Sequence, residues 1–273
     1  MKNKTVKKSY GIICGRVGSD GIELAMMARN HTYSFQELIL YKQSISRDNV
    51  AKLLNKMTIR EKIELINRSY DDIYNTVRVT KYAPNKVYIS SKRKFEIIKN
   101  KYDLKSMISQ SKHGDQIWDF PKGKKEKHES DIECAVREFI EETGIKRGDI
   151  KVIPEIVFNT RFIDSGVIYH YKLYLAFASD SARFMLNTRN YDQIDEIGDL
   201  RWLNLKTIIA MNIGPRITDL SRKSVYKLKQ WLSGNLRVNR RHKQRDQNRV
   251  DRVKCMSLYS VNTERVDGVN VID

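Results

Sequence analysis

Between Gly123 and Ile145 the chain spaces a small set of chemically capable residues in a fixed order: Gly123, Glu129, Arg137, Glu138, Glu141, Glu142, Gly144, Ile145. Carboxylates at 138, 141 and 142 fall within little more than one helical turn, and each like-charged i,i+4 pair costs a helix some tenths of a kcal/mol. Solvation alone gives no reason to gather them. A hard divalent cation does, because Mg²⁺ or Mn²⁺ takes oxygen ligands, keeps several waters and bridges a few carboxylates to phosphates. Lys122, Gly123, Lys124 and Lys125 lie just upstream, where they can address phosphate oxygens beside such a metal. The pattern therefore reads as a metal–phosphate site.

The elements that must hold these residues are written around them. Ser130 with Glu133 is a capping box that starts a helix, and Gly144 followed by apolar Ile145 is a left-handed stop. At about 100° per residue the helix gathers Ile132, Ala135, Val136, Phe139 and Ile140 on a core face, opposite Glu138, Glu141 and Glu142. Upstream, Ser9 to Arg16 and Ile22 to Ala28 read as two strands about a turn at 17–21. Residues 33–77 then take helical spacing: a short helix carries Val50, Leu53, Leu54 and Met57. After the Thr58–Glu61 capping box, a longer one carries Ile59, Ile63, Ile66, Tyr70, Ile73 and Val77. Segment 81–101 is markedly basic. Downstream come strands at 150–162 and 167–178 about Asp164-Ser165-Gly166, a last short strand at 196–203, and helices at 204–213 and 216–232.

Lys plus Arg number 51 against 33 Asp plus Glu, a net charge of +18, which favours polyanionic partners such as RNA, DNA or anionic membrane. Cys14, Cys134 and Cys255 are scattered without metal-ligand spacing, so neither a disulfide framework nor a zinc site is expected. The apolar stretch after the first lysines is too short for a signal peptide, and no run reaches a membrane span, so no membrane partner is expected. Leu236 to Lys254 is rich in Lys and Arg without apolar periodicity and reads as a disordered basic tail.

The run GKKEKHESDIECAVREFIEETGI satisfies every fixed position of the Nudix box, and the chain resembles a Nudix hydrolase. Trp118-Asp119-Phe120-Pro121-Lys122-Gly123-Lys124 resembles the lead-in of mRNA-decapping Nudix enzymes. The helical region with LLNKMTIREKIELINRSYDDIYN is similar to the insertion in those of large DNA viruses. The resemblance implies an α/β fold, a Nudix αβα sandwich with a mixed sheet and an N-terminal helical insert. Residues 9–32 and 106–234 would form the hydrolase domain, 33–105 the basic insert and 235–273 the tail. It implies metal-dependent hydrolysis of the 5′ cap triphosphate bridge, releasing 7-methylguanosine diphosphate, on capped mRNA whose backbone is also held by the basic insert and tail, in the cytoplasm.

By position, Glu138 and Glu142 would hold the metal, Glu141 and Glu129 would complete or orient the cluster, and Arg137 would pair with Glu129. Glu196 would be the general base, with Asp192 and Asp195 as rivals. Phe35, Tyr41, Phe158 and Tyr169 are candidates to stack on the methylated base. Two other readings stay open: hydrolysis of diphosphoinositol or dinucleoside polyphosphates, and RNA binding on a scaffold without catalysis.

Overall fold

The computed structural model describes residues 5–40, 46–77, 86–164, 167–186, 193 and 196–234. Tyr41, Asp192, Asp195, Cys255, residues 81–85 of the basic segment and the tail from 235 lie outside the described residues. The chain divides into two compact units, Met1–Val225 and Tyr226–Asp273. The second is described only over 226–234, which is helical, and all that follows concerns the first.

Apolar alternation on both sides of a Ser19-Asp20-Gly21 turn folds β1 (Val6–Gly18) back on β2 (Gly21–Arg29), with Gly21 at φ 109° supplying a conformation that side chains disfavour. The short strands β3 (Trp118–Asp119) and β4 (Lys122–Gly123) follow much later. A helix over Asp131–Thr143 is next, then β5 (Ile150–Asp164), β6 (Val167–Ala178) and β7 (Ile197–Asn204). Strand order is β3-β2-β1-β6-β5, with β4 pairing β1 and β7 pairing β2. The β1–β6 pair is parallel and its neighbours antiparallel, so the sheet is mixed as expected. Helix α8 (Leu205–Ala210) and a helical stretch over 215–225 follow β7.

Between β2 and β3 stand α1 (Tyr33–Leu40), α2 (Arg47–Leu54), α3 (Ile59–Asn67), α4 (Tyr70–Val77), α5 (Lys86–Lys101) and α6 (Leu104–Ser109). They close over their own core, including Phe35, Leu54, Leu65, Tyr70, Ile73, Phe95 and Ile98. The single helix expected over 59–77 is two. Arg68 is extended, and Ser69 starts the second helix by accepting the Asp72 amide at 3.1 Å. The buried face of α3 also differs, for Ile59 and Ile63 are more than half exposed while Glu61, Lys62 and Leu65 are buried. Glu61 caps its own helix and accepts the Thr32 amide and hydroxyl, and Lys62 donates to Ser111 Oγ at 2.7 Å and to the Lys112 carbonyl. These satisfied polar groups turn α3 inward on its charged side and tie the insert to both chain crossings.

Helix α7 (Asp131–Thr143) has both predicted ends: reciprocal Ser130–Glu133 capping and Gly144 at φ 68°. Its buried residues are Cys134, Ala135, Phe139, Glu142 and Thr143. Small Ala135 lets the helix settle with Phe139 on Ile12, Cys14, Tyr174 and Ala176 of β1 and β6. Branched Ile132, Val136 and Ile140, expected in the core, are instead half-buried along a groove with Val152 and Arg147.

Candidate active site

The site is assembled where β4 crosses the flank of β1 and the chain runs into α7. Gly11 must be glycine, because a Cβ there would overlap the Pro121 carbonyl; this brings Tyr10 and Gly11 into register with Gly123 and Lys122. At Gly123 a Cβ would occupy the place of the Glu138 carboxylate, so glycine leaves that carboxylate its seat. The glycine of the motif is thus spatial, making room for an acid fifteen residues later.

Arg137 binds the loop to the helix. Its Nη2 lies 2.9 Å from Glu129 Oε1 and 3.0 Å from the Lys124 carbonyl, while Nη1 lies 3.0 Å from Glu138 and 2.9 Å from Glu141. Hydrogen bonding from Arg137, with help from the Glu126 amide, holds the Glu129 carboxyl down at about 2. The Arg137–Glu129 pairing implied by the resemblance is present in the structure. Arg137 has its fork filled by carboxylates and a carbonyl, which makes it a positioning residue rather than one that reaches the reacting atoms.

Glu142 is buried at 8% exposure and accepts the Lys122 amide at 2.7 Å. Burial, partly offset by Lys122 and reinforced by Glu138 and Glu196, raises its carboxyl to about 8. Burial also raises Glu138, against Arg137 and with Glu141 and Glu196 adding to the rise. Glu196, exposed just before β7, is therefore close enough for its charge to be felt by both. Its backbone carbonyl, which accepts the Asn30 amide at 3.0 Å, fixes the chain there.

Buried carboxylates that raise one another are a donor set short of positive charge, and a divalent cation fits that deficit. Among the described residues no three acidic, His or Cys side chains are gathered as a closed ligand cage. Glu138 pairs with Arg137, and Glu142 accepts from the Lys122 amide.

Lys122, expected on phosphate, is nearly buried and tied to Asp119 at 2.9 Å, with its ammonium 5.0 Å from the centre of the Tyr171 ring. Burial opposes its charge, and Asp119, Tyr171, Tyr33 and Glu142 together outweigh that. Lys124 is exposed. Asp119 also takes Arg216 at 3.2 Å, and Arg216 leads to an aromatic cluster on the sheet face opposite α7. Its guanidinium stands 4.6 Å from the centre of the Phe162 ring and 5.1 Å from Tyr171. Phe162 stacks on Tyr169 at 5.1 Å and meets Tyr171 edge-on. Arg216 Nη1 and Thr160 Oγ1 are buried there without hydrogen-bond partners.

Of the four stacking candidates, Tyr169 is in this cluster. Phe158 lies on the same face two rows along, opposite Leu173. Phe35 is a correction: it is wholly buried in the insert core and stacked on His31, with no face for a base. Phe162, Tyr171, Asp119 and Arg216 were not singled out from the sequence. The β5–β6 register carries the signal for this cluster, since it pairs residue 162 with 169; Ser165 and Gly166 lie outside the described residues.

Residues 103–223 match the NUDIX domain family. The mRNA-decapping protein g5R of African swine fever virus, isolate Pig/Kenya/KEN-50/1950, is 29% identical over 214 residues, spanning 74% of this chain and 87% of its own. Its counterpart from isolate Warthog/Namibia/Wart80/1980 is 28% identical over the same length, again covering 74% and 87%. Among solved structures, the Ap4A hydrolase binary complex of C. elegans aligns with a TM-score of 0.41 at 14% identity, over 83% of this chain and 98% of that one.

Proposed function

We propose that this chain is a Nudix pyrophosphohydrolase that cleaves the triphosphate bridge of capped mRNA, releasing 7-methylguanosine diphosphate and leaving RNA with a 5′-monophosphate. The observation that carries the step from pyrophosphohydrolase to decapping enzyme is the extent of the likeness to the viral proteins. At 214 aligned residues, 74% of this chain, it runs well beyond the 103–223 Nudix match and into the helical insert. The domain reading is the same: strands from both ends of the unit form the hydrolase, and the intervening helices are an RNA-facing addition, with the basic tail as a further arm.

A divalent cation, Mg²⁺ or Mn²⁺, supplies neutralisation of the bridging phosphates and acidification of water when bound. Glu138 and Glu142 would hold it, with Glu129 and Glu141 kept in place by Arg137. Glu196, solvent-exposed and facing both ligands, takes the proton of the attacking water. Lys124 is the lysine of the loop that remains open to phosphate, and Lys122 acts through Asp119 to set the cleft. Phe162 and Tyr169 offer ring edges and faces to the cationic methylated base, an attraction of about 0.5–2 kcal/mol per contact once the Arg216 guanidinium over Phe162 gives way. A decapping role places the protein with mRNA in the cytoplasm of a host cell.

The test offers labelled capped RNA, a dinucleoside tetraphosphate and a diphosphoinositol polyphosphate side by side with Mg²⁺ and with Mn²⁺. 7-Methylguanosine diphosphate should be the main labelled product. Preference for either small molecule, or release of 7-methylguanosine monophosphate, refutes the proposal.

A further inference from the structure

We infer that the sheet face running past the start of α7 is a track for the single-stranded RNA that follows the cleaved end, its phosphates taken by Lys8, Arg161 and Lys172. The inference rests on the RNA reading above and places the polymer on the hydrolase sheet itself.

Side chains alternate along a strand, so the register fixes which residues share a face. Ile12, Tyr174 and Val157 form one row, under α7. Toward the start of β1 the next rows are Tyr10–Lys172–Asn159, then Lys8–His170–Arg161, then Val6–Ile168–Ile163. Helix α7 begins at Asp131, whose carboxylate holds Lys125 and Lys172, each at 2.9 Å. Past that point Lys8, Arg161 and Asn159 on the flanking strands are exposed, while Ile168 on the central strand is buried. Lys8 and Arg161 make no ion pair among the described residues, and Asp131 pairs with Lys125 and Lys172 at the near end of these rows.

Single exposed cations are ordinary on a surface. What makes these a track is continuity with the site. Tyr10 pairs with Lys172 along one edge of β1 and with Gly123 along the other. Lys125, in the loop between Gly123 and Glu129, sits 5.8 Å from the centre of the Tyr10 ring. The basic rows thus begin one strand away from the acidic helix. A chain of phosphates leaving Glu138, Glu141 and Glu142 finds compensating charge at the other end of the same helix, about 10 Å along it. Neighbouring strands lie about 4.8 Å apart, so Lys8 and Arg161 flank His170 at about 10 Å, a span that long flexible side chains bridge to successive phosphates of one strand.

The test uses the full chain with the double substitution Lys8→Gln, Arg161→Gln, and reads log Kd against log salt for a long 5′-monophosphate oligoribonucleotide. Two lost single-strand contacts should make the slope shallower by about 1.4, at about 0.7 each. The conservative pair Lys8→Arg, Arg161→Lys should restore it. Turnover of a capped dinucleotide and the thermal midpoint should be unchanged, since neither residue is in the catalytic set or the core. Equal slopes for wild type and double Gln variant overturn the track. So does a loss of binding to phosphatidylserine vesicles with RNA binding intact, which would mark a membrane surface instead. If the wild type hydrolyses no capped substrate, the decapping reading fails, while the binding slope still decides the track.

Discussion

Gly123→Ala separates geometry from stability more cleanly than removal of any carboxylate. A Cβ at 123 would fall on the Glu138 carboxylate, well inside the 3.0 Å that real Cβ atoms keep. The obstructing atoms are the end of a flexible side chain, so the backbone need not move, and Gly123 is not in a left-handed conformation that would strain alanine. Folding stability should therefore change by less than about 1 kcal/mol, with the reduced freedom of the unfolded chain acting in its favour. Glu138 must retreat by about 1 Å from where Arg137 holds it, and a misplacement of that size in a reacting constellation costs on the order of a hundredfold. Gly18→Ala is the matched control, because its Cβ meets the Glu23 side chain in the same way on the first hairpin, away from the acidic helix. Steady-state hydrolysis with Mg²⁺ and thermal melts on both variants read the two effects. Gly123→Ala retaining more than about a tenth of wild-type turnover, or Gly18→Ala losing as much, would refute the reasoning.

Glu142→Gln should lower turnover by on the order of a thousandfold with the fold intact, because the amide keeps the shape beside the Lys122 amide and loses the ligand charge; near-normal turnover in a folded variant would remove Glu142 from the site. The same residue sets a pH dependence in metal-free protein: its carboxyl is raised from 4.5 to about 8 by burial, so the stabilisation is full below 4.5 and is lost as pH rises to about 8. Chelated wild type should therefore melt lower at the upper end of that window, the Gln variant should be flatter, and identical profiles would contradict the burial argument. Arg137→Lys should cost activity nearly as much as Arg137→Ala, since an ammonium cannot span Glu129, Glu138 and Glu141 at once; full rescue by lysine in the hydrolysis assay would show that charge alone suffices. Val136→Asp, on the half-buried flank of α7, should lower stability by no more than about 1 kcal/mol, whereas Phe139→Asp in the core should prevent folding, and denaturant titration distinguishes the two.

The parts of the site that were legible are those written locally. Ser130, Glu133 and Gly144 delimit one helix by interactions three or four residues long, so its ends and its acidic face follow from spacing. The insert was legible as helical but not in its orientation. Apolar periodicity put Ile59 and Ile63 inward, whereas Glu61 and Lys62 have partners at Thr32, Ser111 and Lys112, tens of residues away, and those bonds turn the helix. The aromatic cluster was hidden for the same reason. Phe162 meets Tyr169 through hairpin register, but Asp119 meets Arg216 across 97 positions, and no short pattern marks such a pair. That division carries a mechanistic consequence. On the proposed function, the local motif would hold the groups that act on the anhydride, and the long-range contacts the surfaces that recognise what carries it. Substitutions such as Phe162→Ala and Tyr169→Ala should then raise KM for capped RNA, by the equivalent of about 1–3 kcal/mol for each lost stack, with kcat little changed. Equal losses in kcat would mean that these rings orient the phosphates rather than bind the base.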